Sequence, residues 1–319
     1  MVGMSTAIRP ATEVDETRPD RYSAANCAFL VLIAVYAIAR ILQIYPRGVS
    51  LSGVVALHVL PTAIFAVVHG ARFYRWKGIL TFLGIVLVLG NMFENLGVRT
   101  GFPFGRYFFS ELMGPKVLAV PVLLGLAYVG MSYFSWTLAR LIVERRPTSR
   151  AASGMVLTPV LAAFIMAAWD LSQDPVWSTI LHLWIWPDGG RYFGVPLTNF
   201  FGWYLTGFVI FQAFALYLRR HNAPVRRFPE SYWLQPVLFY AFSAAGNVLL
   251  LLPNTRPSVV TDPAGITWKV SHITATCALI TILTMGFFAL LAGLRVGKRL
   301  ERNRQNCTPE PARNSGYRS

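Results

Sequence analysis

Long apolar runs divide the chain at regular intervals. Eight windows of about 20 residues (26–45, 50–69, 78–97, 117–143, 154–174, 198–218, 232–252 and 272–294) can each cross a ~30 Å hydrocarbon core as a helix. They predict an all-α polytopic membrane bundle with eight transmembrane helices in a single domain, residues 26–300. The first 25 residues are polar, carry Glu13, Asp15 and Glu16, and lack the basic-then-apolar order of a cleaved signal. They are expected to form a disordered cytoplasmic arm, and residues 301–319 a disordered basic tail. Between the fifth and sixth windows the chain is partly apolar but broken by Pro187, Gly189 and Gly190. That segment is expected to lie at the interface or to re-enter, which irregular backbone does only where protein covers it or it lines a cavity.

Composition supports this reading. Apolar residues make up 55% of the chain and charged residues 13%, more hydrocarbon than a soluble domain of 319 residues needs. The net charge of +15 would suit a nucleic-acid ligand, but its placement points to a membrane instead. Arg72, Arg75 and Lys77, then Arg140, Arg145, Arg146 and Arg150, then Arg219, Arg220, Arg226 and Arg227 fall in alternate loops, and another basic run follows the last window. The loops between them are poorer in Lys and Arg. By the positive-inside rule both termini are cytoplasmic, in the cytoplasmic (inner) membrane, and the basic tail can touch anionic lipid. The three cysteines form no pair at metal or disulfide spacing, and the histidines (His58, His69 and His182 among them) do not cluster, so no metal site is expected.

Three acids interrupt the apolar pattern. Glu94 closes the third window, and Asp170 and Asp174 close the fifth. An acid at bilayer depth costs roughly 2.5–3.5 kcal/mol on insertion scales, so it calls for a partner or a task. With alternating passes all three lie at one level, on the non-cytoplasmic side. Asp170 and Asp174 are four residues apart and so share a helix face, where each opposes ionisation of the other; one is expected to hold a proton. Pro175 is expected to end the helix. The flanking outer segments are rich in aromatics, with Trp169, Trp177, Trp184, Trp186 and Tyr192 around the acids. Each segment carries a Gly-Arg-Tyr-Phe tetrapeptide, at Gly105–Phe108 and Gly190–Phe193. Plainer readings exist for every one of these features. Aromatics at helix ends form interfacial belts, Asp170 can pair with Arg106 or Arg191, and Asn91 and Asn95 can serve as interhelical hydrogen-bond glue.

The run E-x-x-G-x-x-x-G-x-P-F-G (Glu94, Gly97, Gly101, Pro103, Phe104, Gly105) is followed by D-x-x-x-D-P at Asp170–Pro175. A third run, Y-x-G-x-P-x-x-N-F-x-G-W, spans Tyr192–Trp203. Together, across Gly90–Trp203, these motifs resemble the carotenoid biosynthesis membrane proteins, of the carotenoid 1′,2′-hydratase and bisanhydrobacterioruberin hydratase type. The outer windows agree with that family in hydropathy alone. The resemblance implies a hydro-lyase that adds water to the terminal isoprene double bond of an acyclic carotenoid, giving a tertiary alcohol. It implies acyclic carotenoid, water and membrane lipid as partners, association with other carotenoid enzymes, no nucleic acid, and no cofactor. Asp170 or Asp174 would then donate the proton, with Glu94 in the same pocket positioning water. Asn91, Arg106, Tyr107, Trp169, Trp177, Tyr192 and Asn199 would bind the substrate or order water. A carotenoid cyclase or isomerase would start from the same protonation. A polyprenyl transferase would need a second aspartate-rich motif, which is missing. A lipid transporter would use the acids as a relay.

Overall fold

The structure is a computed structural model that describes residues 19–45, 47–143, 154–221, 228–252 and 256–307. Most of the expected arm and tail lies outside these residues. Within them the helices overrun the hydropathy windows at both ends of the chain. Helix α1 (Pro19–Leu42) starts seven residues before the window at 26, and α8 (Phe287–Cys307) continues past 300. Helical backbone bonding does not stop where the apolar sequence does, and Pro19 suits a first helical position because its missing N–H would have no partner there.

Among the described residues, six helices are long and apolar enough to cross a membrane: Leu51–Thr100, Val122–Val143, Gly154–Ile180, Leu197–Arg220, Glu230–Leu251 and Val270–Glu301. The first of these, α2, has 50 residues and would be ~75 Å long if straight. It is not straight. Arg75 breaks it with φ 61° and ψ 168°, where the two windows 50–69 and 78–97 meet. A Cβ placed on Gly70 would lie 2.5 Å from Ile79 Cδ1, a residue roughly 13 Å further along an unbroken helix. Thr62 on the first arm packs against Gly130, and Glu94 on the second is bonded by Tyr128. A straight rod would hold Thr62 and Glu94 roughly 48 Å apart, yet both touch one turn of α3 (Val122–Val143). α2 is therefore a helical hairpin. Counting its arms separately and adding the shorter apolar stretch Asn26–Leu42, the described residues hold eight apolar helical passes.

The remaining passes are α4 (Gly154–Leu171), α5 (Leu197–Arg220), α6 (Glu230–Val248) and α7 (Val270–Thr281), the last joined to α8 through a π-helical turn, Ile282–Gly286. Alternating passes bring the α2–α3, α4–α5 and α6–α7 connections to one end. There three two-stranded sheets stiffen them. β1 (Phe108–Phe109) pairs antiparallel with β4 (Trp184–Ile185), placing Phe108 opposite Ile185 and Phe109 opposite Trp184. β2 (Lys116–Val117) pairs with β3 (Val120–Pro121), and β5 (Val259–Thr261) with β6 (Thr267–Lys269). The β1–β4 ladder joins the two aromatic segments that the sequence singled out.

Pro175 does not end the helical run. The chain leaves α4 at Leu171, turns through Ser172 and Gln173, and resumes at Asp174 into a π-helical turn, Val176–Ile180. Val176 N and Trp177 N both donate to Gln173 O, at 2.9 and 3.2 Å. Pro175 thus sits at a restart, where an absent N–H is not missed. All five residues of the π turn are buried, so the irregular segment is covered by protein rather than exposed to lipid.

Candidate active site

Three elements converge on Glu94, which lies near the end of α2 and is 3% exposed. Tyr128 on α3 donates its hydroxyl to Glu94 Oε1 at 2.5 Å, and Tyr107, from the α2–α3 connection, donates to Oε2. Burial and the neighbouring Glu94 hold the Tyr107 phenol above its usual range, so it stays a donor. Gly97 makes the room for this contact. A Cβ there would sit 2.7 Å from Phe104 Cδ2 and 2.9 Å from Tyr107 Oη. Tyr128 is fixed in turn by Trp203, which stacks on it at 4.7 Å and 13°.

Asp170 and Asp174 are 2% and 1% exposed. One amide bridges them: Asn199 Nδ2 donates to Asp170 Oδ2 at 2.8 Å and to Asp174 Oδ2 at 2.6 Å. Asn199 lies in the first turn of α5, which the Pro196 cap starts at the right level. Asp174 gains a further donor in Trp184 Nε1, at 2.9 Å from Oδ1. That bond carries the β1–β4 ladder into the site. Among the described residues none of the three acids meets a Lys or Arg; their partners are neutral donors.

Two cavities adjoin here. The smaller is lined by Glu94 and Asp174 together with Asn199, Tyr107, Trp184 and Trp203, and offers about 20 Å³ to a water-sized occupant. That is room for about one water, with polar groups on several sides. The larger offers about 80 Å³ and is lined mainly by apolar and aromatic side chains, among them Tyr36, Ala127, Met131, Trp169 and Trp177. Leu124 and Trp184 belong to both walls.

The structure thus gathers Glu94, Tyr107, Asp174 and Asn199 around one space, with Asp170 behind Asn199. Trp169 and Trp177 wall the neighbouring chamber. Three expected binders lie elsewhere. Arg106 is exposed and paired with Asp188, their side chains 69% and 55% accessible, so it is not the partner of Asp170. This ion pair holds the Asp188 carboxyl below its ordinary value. Asn91 accepts from Asn95 Nδ2 on the same helix, and Asn95 Oδ1 accepts from Ala119 N, so these amides brace a helix to its own connection. Tyr192 donates to Leu171 O at 3.1 Å and supports the end of α4 without reaching either cavity.

Tyr128, Trp184, Trp186, Phe104 and Trp203 line or buttress the site, although none was a candidate binder from sequence. Tyr128 shares its window with Ser132, Tyr133, Ser135, Thr137 and Arg140, and nothing in that pattern singles it out as the partner of an acid.

The profile of the family described as carotenoid biosynthesis protein matches residues 53–268. It takes in every residue that touches the three acids and extends well beyond Gly90–Trp203. The bisanhydrobacterioruberin hydratase of Haloarcula japonica is 33% identical over 131 residues, which is 40% of this chain and 42% of that protein. The match therefore spans less than half the length of that relative. No solved structure matches the chain. With two thirds of its length inside the family profile, the chain belongs to the carotenoid biosynthesis protein family.

Proposed function

We propose that the protein is a carotenoid-modifying enzyme that hydrates the terminal isoprene double bond of an acyclic carotenoid. The observation that carries this reading is the pair Glu94 and Asp174. They come from different helices at the end of the bundle, face one water-sized space, and are bonded only to neutral donors. A hydrocarbon substrate offers nothing to bind such carboxyls, so their use is chemical. The hydratase activity in the relative's name supports the same reading.

In this scheme a carboxylic acid, assigned to Asp174, gives its proton to the CH carbon of the double bond. The π electrons form the new C–H bond and leave a tertiary cation. The faces of Trp184, Trp177 and Trp169 lower its energy, and the carboxylate left behind does so by charge. Water held beside Glu94 forms the C–O bond, and the proton it sheds returns to the carboxylate. The sum is alkene plus water to tertiary alcohol, with the acid regenerated. Asp170 acts through the shared Asn199 amide as a positioning residue. The site lies at the non-cytoplasmic end, with both termini in the cytoplasm, as the loop charges suggest.

The test is expression in a host that accumulates lycopene, followed by pigment mass. A gain of one water per modified end is expected. An unchanged mass with altered absorption would replace hydration by cyclisation. General acid catalysis typically contributes 10²–10⁴-fold, so Asp174→Asn should reduce conversion by about that factor. Full activity in a normally expressed Asp174→Asn protein removes the donor role from that residue.

A further inference from the structure

The water-sized space between Glu94 and Asp174 is too small for the reacting end of any carotenoid. It has room for about one water, whereas a terminal isoprene unit brings five carbons. The adjoining chamber is larger, 80 against 20 Å³ for water-sized occupants, and of a different character. Along α3 its lining runs from Leu123 to Met131, about 12 Å of helix leading from the acid-bearing end toward the middle of the bundle. Tyr36, Trp169, Trp177 and Trp184 supply aromatic faces, and Val55, Val59, Leu124, Ala127 and Met131 supply aliphatic ones.

Among the polar side chains in its wall, Arg40 and His58 each make hydrogen bonds away from it, though Arg40 Nε and His58 Nε2 are buried without a hydrogen-bond partner. The Arg40 guanidinium is drawn toward α6, donating to Ser243 O at 3.1 Å and to Asn247 Oδ1. His58 Nδ1 lies 2.7 Å from Val54 O; a carbonyl can only accept, so that nitrogen carries the hydrogen. The His58 ring packs edge-on against Tyr36 and Trp177. What remains is an apolar slot that meets the carboxylates across Leu124 and the indole of Trp184, which donates to Asp174.

We propose that this chamber, walled by Trp169, Trp177 and Trp184, receives the uncyclised isoprenoid end of the substrate while the small space beside Glu94 and Asp174 holds the water. The assignment rests on the carotenoid reading above. It separates the two reactants by size and polarity and brings them together at the Trp184 indole, where a cation in the slot lies over an aromatic face beside Asp174. It also makes Val59 and Ala127 selectivity determinants, since bulk there shortens or fills the slot without touching an acid.

The experiment is pigment retention by the full-length protein purified in detergent from cells that accumulate either lycopene, whose ends are open, or β-carotene, whose ends are rings. The wild type should carry lycopene or its hydrated product, and at least tenfold less β-carotene. Ala127→Trp and Val59→Trp should lower bound lycopene at least tenfold, while Asp174→Asn binds like the wild type without converting it. If the tryptophan variants aggregate, Ala127→Leu takes their place, with a severalfold loss expected. Lycopene retained at wild-type levels by a monodisperse chamber variant, equal binding of β-carotene, or phospholipid as the sole occupant would each overturn the proposal. The two readings fail separately. Pigment that is bound but never hydrated rejects the hydratase and leaves the chamber standing; hydration at the wild-type rate by blocked variants does the reverse.

Discussion

Asn199 is the residue whose loss tests the site most directly. Its amide is the donor shared by Asp170 and Asp174, and it is 2% exposed. Asn199→Leu keeps the side chain's shape and removes both hydrogen bonds. Bonds to charged groups are worth about 1.5–3 kcal/mol and neutral ones about 0.5–1.5. With one carboxyl ionised and one neutral, the variant should lose about 2–4.5 kcal/mol. Nothing in the site offsets this loss, because leucine supplies no donor and the space is too small for more than about one water. The assay is an unfolding titration in mixed detergent micelles, followed by tryptophan emission and read as a midpoint shift at constant slope. A companion double variant, Asn199→Asp with Asp174→Asn, reverses donor and acceptor across the same gap. It should recover part of the stability by restoring one amide-to-acid bond, yet convert no carotenoid. A loss below about 0.5 kcal/mol for Asn199→Leu would refute the idea that this amide holds the two acids together. Activity in the swapped variant would refute the assignment of the proton donor to position 174.

Three further outcomes follow from the same geometry. Tyr107→Phe and Tyr128→Phe each strip a donor from Glu94, and a double-variant cycle on conversion rate should show a coupling of at least about 0.5 kcal/mol, since both phenols bond one carboxyl; strict additivity would mean they act independently. Gly97→Ala should cost about 1–3 kcal/mol in the same unfolding titration and also lower conversion, because the added methyl displaces Phe104 and Tyr107; an unchanged midpoint would show that the connection yields freely. The exposed Arg106–Asp188 pair sets a pH signature. Its depressed folded-state carboxyl contributes stability above the ordinary aspartate range and loses it as pH falls through the folded value, so any difference between wild type and Asp188→Asn should vanish in acid and shrink in high salt. A difference that grows in acid would reverse the sign.

Hydropathy alone determined the class of fold and nearly all of its passes. Runs of about 20 apolar residues have one stable form in lipid, a helix that satisfies its own backbone, so windows 50–69 and 78–97 were separable even though helical structure continues almost unbroken from Leu51 to Thr100. The three acids were legible for a related reason: a carboxyl in an apolar window is costly enough to be conspicuous. Asp170 and Asp174 do share a partner, Asn199, but α4 ends at Leu171 between them, so the turn at Ser172 and Gln173 brings them to it rather than continuous helix periodicity.

Partnership across the bundle was not legible. Which phenol meets Glu94 depends on how the α2 hairpin folds at Arg75 and where α3 then crosses it, and a tyrosine in an apolar window carries no mark of what lies opposite. Arg106 and Tyr107 are neighbours in sequence, yet one faces solvent beside Asp188 and the other enters the site. The continuation of the helical run past Pro175, and the division of the interior into a water-sized space and a larger apolar chamber, likewise arise only from packing. Local pattern specifies what each segment can bury. Which buried groups meet is decided by tertiary contacts between residues tens of positions apart.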